Sequence, residues 1–190
     1  MAFKIGLVQV KSFPNEEVVT STLGQFSLSP DHLLDAMQSF VCRADITSSS
    51  GYQQNLAREL AEHLKSAFST RGIRSKYDRR YCPNLNEQAD VVLQKEGIER
   101  CIFIEIEFRP NVEKDLVKFQ IGCNSGRLGL GILVLATKRD AINPGYKTMP
   151  EYEKFLKVIK ELRPSYPLFV YGINGEHITP SQKDISRAED

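Results

Sequence analysis

Leucine recurs at Leu56, Leu60 and Leu64, and Phe68 carries the series on to a stop at Gly72. A spacing of four lines these side chains along one stripe of a helix, and a glycine just past the last of them suits a left-handed terminus. The pattern predicts an amphipathic helix, set off from the preceding chain by the breaker Ser48-Ser49-Ser50-Gly51. The period changes downstream. In Cys101-Ile102-Phe103-Ile104-Glu105-Ile106-Glu107-Phe108, alternation puts Ile102, Ile104, Ile106 and Phe108 on one side of an extended strand and Glu105 and Glu107 on the other. With Ala89-Asp90-Val91-Val92 a short connection upstream, the segment predicts a β-hairpin carrying three carboxylates.

Further patterns extend the series. Leu116, Phe119 and Gln120 fall on helical spacing within 112–121, after the interruption at Pro110-Asn111. Leu128 to Ala136 is apolar without alternation, which predicts a central strand covered on both faces. A polar loop, 137–149, containing Asn143-Pro144-Gly145 leads into a helix over 151–162 with Tyr152, Phe155, Leu156, Ile159 and Leu162 inward, closed by Pro164. Leu168 to Ile173 predicts the last core strand, and the tail from Thr179 is polar and charged. The first 50 residues offer a strand at Phe3 to Val10 and a helix from Pro30-Asp31 through Leu33, Leu34, Met37 and Phe40, without an evident role.

Composition adds bounds. At 190 residues, 41% hydrophobic and 26% charged, the chain has the make-up of one globular domain. No apolar run approaches the roughly 18 residues that would span a bilayer, and the N-terminus lacks a basic segment followed by an apolar core, so a cytoplasmic protein without membrane contact is expected. Cys42, Cys82, Cys101 and Cys123 are too dispersed for a paired-cysteine zinc motif and are expected as free, mostly buried thiols. His32, His63 and His177 do not cluster. Gly126, Gly129 and Gly131 lie in or beside an apolar strand rather than in a phosphate-cradling loop, so no nucleotide cofactor is expected.

Three carboxylates on one hairpin repel one another unless a proton or a cation sits among them. Oxygen donors favour Mg²⁺, which keeps several waters and shares its remaining ligands between one or two carboxylates and a substrate phosphate. Glutamates alternating with isoleucine also describe a half-buried strand with its outer face in water, and the pattern alone weighs both equally. Arg71-Gly72-Ile73-Arg74-Ser75-Lys76-Tyr77-Asp78-Arg79-Arg80-Tyr81 sets five basic residues against one acidic, with two interleaved tyrosines. Such a stretch binds nucleic acid backbone through Arg71, Arg74, Lys76, Arg79 and Arg80, or is a solvated loop without a partner.

The order of helix, hairpin with Asp then Glu-x-Glu, helix, apolar strand, helix and strand resembles the PD-(D/E)xK nuclease core. The text from Ala89-Asp90 through Glu105-Ile106-Glu107-Phe108 and Lys114-Asp115-Leu116 to Leu168-Phe169-Val170-Tyr171-Gly172-Ile173 is similar to type II restriction endonucleases of the BamHI and BglII kind, over about 52–176. The resemblance implies an α/β restriction-endonuclease-like fold, a central mixed sheet flanked by helices. It assigns Asp90 and Glu105 to Mg²⁺ and makes Glu107 the third catalytic residue, where most of the superfamily has lysine. Ala89 stands where a proline is expected, and Asn111 lies four residues beyond Glu107 where some relatives have an asparagine at three. An upstream-helix residue completing the site is also implied, with Glu59 and Glu62 as the two candidates.

The resemblance further implies Mg²⁺-dependent hydrolysis of double-stranded DNA at a short palindromic site by a homodimer. Glu107 would orient or deprotonate the attacking water or ligate the metal. A DNA contact is expected from Asn111, base contacts from Asn143, Tyr146 and Lys147 in the loop before the penultimate helix, and a dimer contact from the helix bearing Lys118 and Phe119. Two rival readings share much of the chain: a repair or recombination nuclease without a fixed target sequence, and an inactive nuclease-like DNA-binding module.

Overall fold

The computed structural model describes residues 2–42, 52–82, 87–107, 112–136 and 151–178. The 48–51 breaker, Pro110 and Asn111, the 137–149 loop and the tail from Thr179 lie outside them. The elements follow in the order β1 (Ala2–Phe13), α1 (Glu16–Gln25), α2 (Pro30–Ser39), β2 (Val41–Cys42), α3 (Tyr52–Ala67), β3 (Ile73–Cys82), β4 (Glu87–Lys95), β5 (Cys101–Glu107), α4 (Val112–Asn124), β6 (Leu128–Ala136), α5 (Glu151–Leu162) and β7 (Leu168–Ile178). These strands join in one seven-stranded sheet in the order β2-β1-β7-β6-β5-β4-β3. β5, β6 and β7 run parallel, while β4 against β5, β3 against β4 and β1 against β7 are antiparallel. The sheet is therefore mixed and β6 is its middle strand, as the unbroken apolar run predicts.

Two apolar layers cover the sheet. On one face Val91, Leu93, Ile102, Ile104, Ile106, Leu130, Ile132 and Val134 pack against α1, α2 and the leucine stripe of α3. On the other, Val92, Phe103, Leu133, Leu135 and Val170 pack against Leu116 and Phe119 of α4 and Tyr152, Phe155 and Ile159 of α5. Every residue of β5 is buried. The reading of β5 as a half-exposed strand is thereby overturned, because α4 covers the face on which the glutamates lie.

The N-terminal segment has a clear structural role. β1 pairs along β7 from Phe13 opposite Leu168 to Ala2 opposite Ile178. α1 starts at Asn15, whose side chain accepts the Val18 N–H at 2.9 Å, and α2 starts at Ser29 with Pro30 in its first turn. α3 gives way to a 3₁₀ turn, Ser69–Arg71, and Gly72 adopts φ 68°, the left-handed terminus expected there.

α4 is set unusually close to the sheet by two glycines. A Cβ on Gly131 of β6 would lie 2.9 Å from a ring carbon of Phe119, and one on Gly122 of α4 would lie 2.7 Å from a ring carbon of Phe103. Neither position has room for a side chain, so helix and strands meet through aromatic rings on bare backbone. Tyr166, after α5, donates its hydroxyl to the Leu116 carbonyl at 2.9 Å and fixes the helix lengthwise. One expectation fails at the end of α5. Leu162 is 56% exposed rather than inward, because the helix stops there and Arg163 turns the chain away at φ 42°.

Candidate active site

Along the α4 side of β5 the chemistry changes from apolar to acidic: Cys101 and Phe103 are followed by Glu105 and Glu107. The site is thus at the carboxyl end of a strand in the parallel part of the sheet. β4 pairs with β5 from Gln94 opposite Cys101 to Val91 opposite Ile104, which brings Asp90 alongside Glu105. There the ladder stops. The Ile106 backbone N–H donates instead to Asp90 Oδ2 at 2.8 Å. A side chain has replaced a main-chain acceptor, so the two strands can part while no buried donor is left unsatisfied.

Glu105 is 2% exposed and Glu107 8%. Carboxylates so buried need compensation, and α4 supplies it. Lys118 Nζ lies 2.7 Å from Glu105 Oε2 and 3.3 Å from Asp115 Oδ1, one helical turn away on α4. Asp115 is itself 2% exposed. Glu105 Oε1 and Asp115 Oδ2 are buried without a hydrogen-bond partner among the described residues. Burial first, then the charges of Asp90 and Asp115, raises the Glu105 pKa well above the ordinary carboxylate value, and Lys118 offsets only part of this. Burial likewise pushes Asp115 up to about 6, against Lys118. Burial opposes the charge of Lys118, yet Glu105 and Asp115 hold its pKa above the usual lysine value.

These donors fit a hard divalent cation. Asp90 and Glu105 lie opposite one another in register, and Glu105 keeps an oxygen without a hydrogen-bond partner among the described residues. Among the described residues no three histidine, cysteine, aspartate or glutamate side chains converge as a ready-made cage. Mg²⁺ does not require one, since water and substrate phosphate complete its shell.

A family model described as restriction endonuclease BglII/BglIII matches residues 10–173. The chain belongs to this family. No curated protein matches its sequence. For a BglII/BglIII-type endonuclease, the matched span begins within β1 and ends within β7, and on its N-terminal side it adds α1, α2 and β2 to the 52–176 region in which the resemblance was legible. The mixed sheet with flanking helices agrees with a restriction-endonuclease-like fold.

The remaining predicted site residues of this endonuclease are distributed unevenly. Glu59 and Glu62 lie on α3, which packs against the sheet face opposite Glu105. Glu62 is exposed and paired with Lys65 at 3.1 Å. The additional carboxylate brought to the acidic cluster is Asp115, from the following helix. Lys118 points into that cluster and Phe119 is fully buried, so neither presents the dimer contact expected of it. The basic stretch is an edge strand rather than a loop. Arg74 and Lys76, both exposed, pair opposite Gln94 and Val92, which sets them on the same side of the sheet as Asp90. The backbones of Arg79 and Arg80 lie opposite Ala89 and Gln88. Arg71, in the 3₁₀ turn, donates to the Ser27 carbonyl at 3.0 Å and lies 2.8 Å from His32 Nε2, so its guanidinium ties the turn to the start of α2. Asn111, Asn143, Tyr146 and Lys147 lie outside the described residues. No helix among the described residues is long and apolar enough to cross a membrane.

Proposed function

We propose that the chain is a Mg²⁺-dependent type II endonuclease that hydrolyses both strands of a short palindromic DNA site as a homodimer in the cytoplasm. The observation that carries this reading is the pairing of Asp90 and Glu105 where β4 and β5 part, with Glu105 Oε1 buried and unpartnered. When bound there, Mg²⁺ would supply positive charge to the scissile phosphate and acidify a water. Asp90 and Glu105 hold the ion, and the hydrogen bond from Ile106 fixes the Asp90 carboxylate on the strand edge. Glu107, two residues on along the same face, accepts a proton from the attacking water or orients it. Arg74 and Lys76, with Arg79 and Arg80 further along β3, bind the DNA backbone and confer affinity without sequence preference. Asn143, Tyr146 and Lys147 are the proposed base-reading residues, with Asn111 a further DNA contact. Two-fold symmetry of the DNA site requires two copies, one active site per strand.

The test is digestion of a mixed DNA substrate by wild type and Glu105→Ala, with Mg²⁺ or with EDTA. Discrete fragments from wild type in Mg²⁺ alone are expected, and sequencing their ends gives the target and stagger. Irregular degradation would instead favour a nuclease without a fixed target. DNA binding without cleavage under any condition would favour an inactive module.

A further inference from the structure

We propose that Lys118 is a resident counter-cation of the acidic cluster, which holds Glu105 and Asp115 together before a metal arrives and is displaced when a divalent cation enters. The inference rests on reading Asp90 and Glu105 as the metal-holding pair.

Geometry and charge carry it. The Lys118 ammonium lies 2.7 Å from Glu105 Oε2 and 3.3 Å from Asp115 Oδ1, bridging two carboxylates that are each 2% exposed. Each of those carboxylates also has an oxygen that is buried and unpartnered, Glu105 Oε1 and Asp115 Oδ2. The cluster is therefore incompletely satisfied by the lysine, and one more cation has oxygens to meet. An ion ligated by Glu105 would stand a few ångströms from the ammonium, with little water between them to screen the repulsion. The two cations cannot hold the same carboxylate at low cost. Lys118 has the means to yield, because its side chain is a four-carbon stem and is 12% exposed, so a route to solvent exists.

The experiment is calorimetric titration of Mg²⁺ and of Mn²⁺ into the full chain without DNA at pH about 8 for wild type, Lys118→Met, Lys118→Arg and Glu105→Gln. Removal of the competing charge should tighten the K118M dissociation constant by about tenfold. K118R should match wild type and E105Q should bind weakly. Equal or weaker binding by K118M, with E105Q still impaired, overturns the competition and leaves the metal reading intact. Binding by none of the proteins, or binding indifferent to E105Q, overturns the metal reading and the competition with it. A second measurement needs no apolar substitution in the cluster. In ¹⁵N-lysine spectra the wild-type ammonium signal that is lost in K118R should shift to the free-lysine position or broaden away as Mg²⁺ saturates. A signal unmoved at saturation overturns the displacement.

Discussion

Asp90 accepts the backbone N–H of Ile106 across the gap between β4 and β5, so one carboxylate both ends a β-ladder and begins the acidic cluster. The carboxylate has two duties: its Oδ2 is engaged by the neighbouring strand, and its charge is felt by Glu105.

That division predicts a split between two substitutions. Asp90→Asn retains a carbonyl oxygen for Ile106 and should unfold near the wild-type denaturant midpoint, yet lose at least about a hundredfold in cleavage rate if it is the metal ligand proposed. Asp90→Ala leaves a buried N–H unsatisfied and should in addition lose about 1–3 kcal/mol of stability. Equal stability of the two variants would remove the structural role assigned to Oδ2.

The Asp115 carboxyl gives a pH signature in the metal-free protein. Its pKa is about 6 in the folded chain against an ordinary 3.8, so the folded state holds a proton that the unfolded chain releases earlier. A group raised in this way stabilises the fold in full below about pH 4, and its contribution is lost as pH rises through about 6. The stability of wild type relative to Asp115→Asn should therefore fall by roughly 2–3 kcal/mol across that window, read from urea midpoints in EDTA. A difference that grows with pH would contradict the assignment.

Gly131 should prove sensitive through its effect on the helix above it. Gly131→Ala places a methyl 2.9 Å from a ring carbon of Phe119, next in sequence to Lys118. A destabilisation of about 1–3 kcal/mol is expected from overpacking. Phe119→Leu in the same chain should recover part of it, as measured by thermal unfolding. An additive double variant would mean that the ring and the glycine do not constrain one another.

DNA affinity should depend on the exposed residues of β3. Replacing Arg74 and Lys76 together by alanine should lower the slope of log affinity against log salt by roughly 2, about one for each phosphate that is no longer neutralised, when binding is measured in Ca²⁺ to prevent cleavage. An unchanged slope would remove the edge strand from the DNA interface.

The sequence was most legible where a single period ran uninterrupted. The spacing-four leucines of α3 and the apolar run of β6 each admit one reading, and the structure bears out both. α1 escapes such a reading because only Val19 and Leu23 of its ten residues are buried, too few to mark a period, although Asn15 followed by Glu16 and Glu17 carries a start signal. On α5 the period continues one residue past the useful length of the helix, and Leu162 emerges into solvent. The carboxylates proposed as metal ligands stand out by alternation, but the lysine among them does not. A signal is present: Val112, Asp115, Leu116, Phe119 and Gly122 form the buried stripe of α4, so an aspartate sits on an apolar stripe and requires a counter-charge one turn away. That the stripe faces Glu105 depends on close packing over Gly131, and tertiary proximity of that kind has no period in the chain.

β3 is the last strand at its end of the sheet, with its outer row of amides and carbonyls unpaired by any other strand among the described residues. A bare edge of this kind is a template on which another copy's strand can add. Arg74 and Lys76, both exposed, place positive charge along it, so two copies approaching edge to edge bring like charges together. The residues proposed for DNA affinity would on that ground also discourage edge-to-edge addition. Neutralising Arg74 and Lys76 together should cost solubility as well as binding, whereas glutamate at the same two positions should weaken binding while the chain stays dispersed.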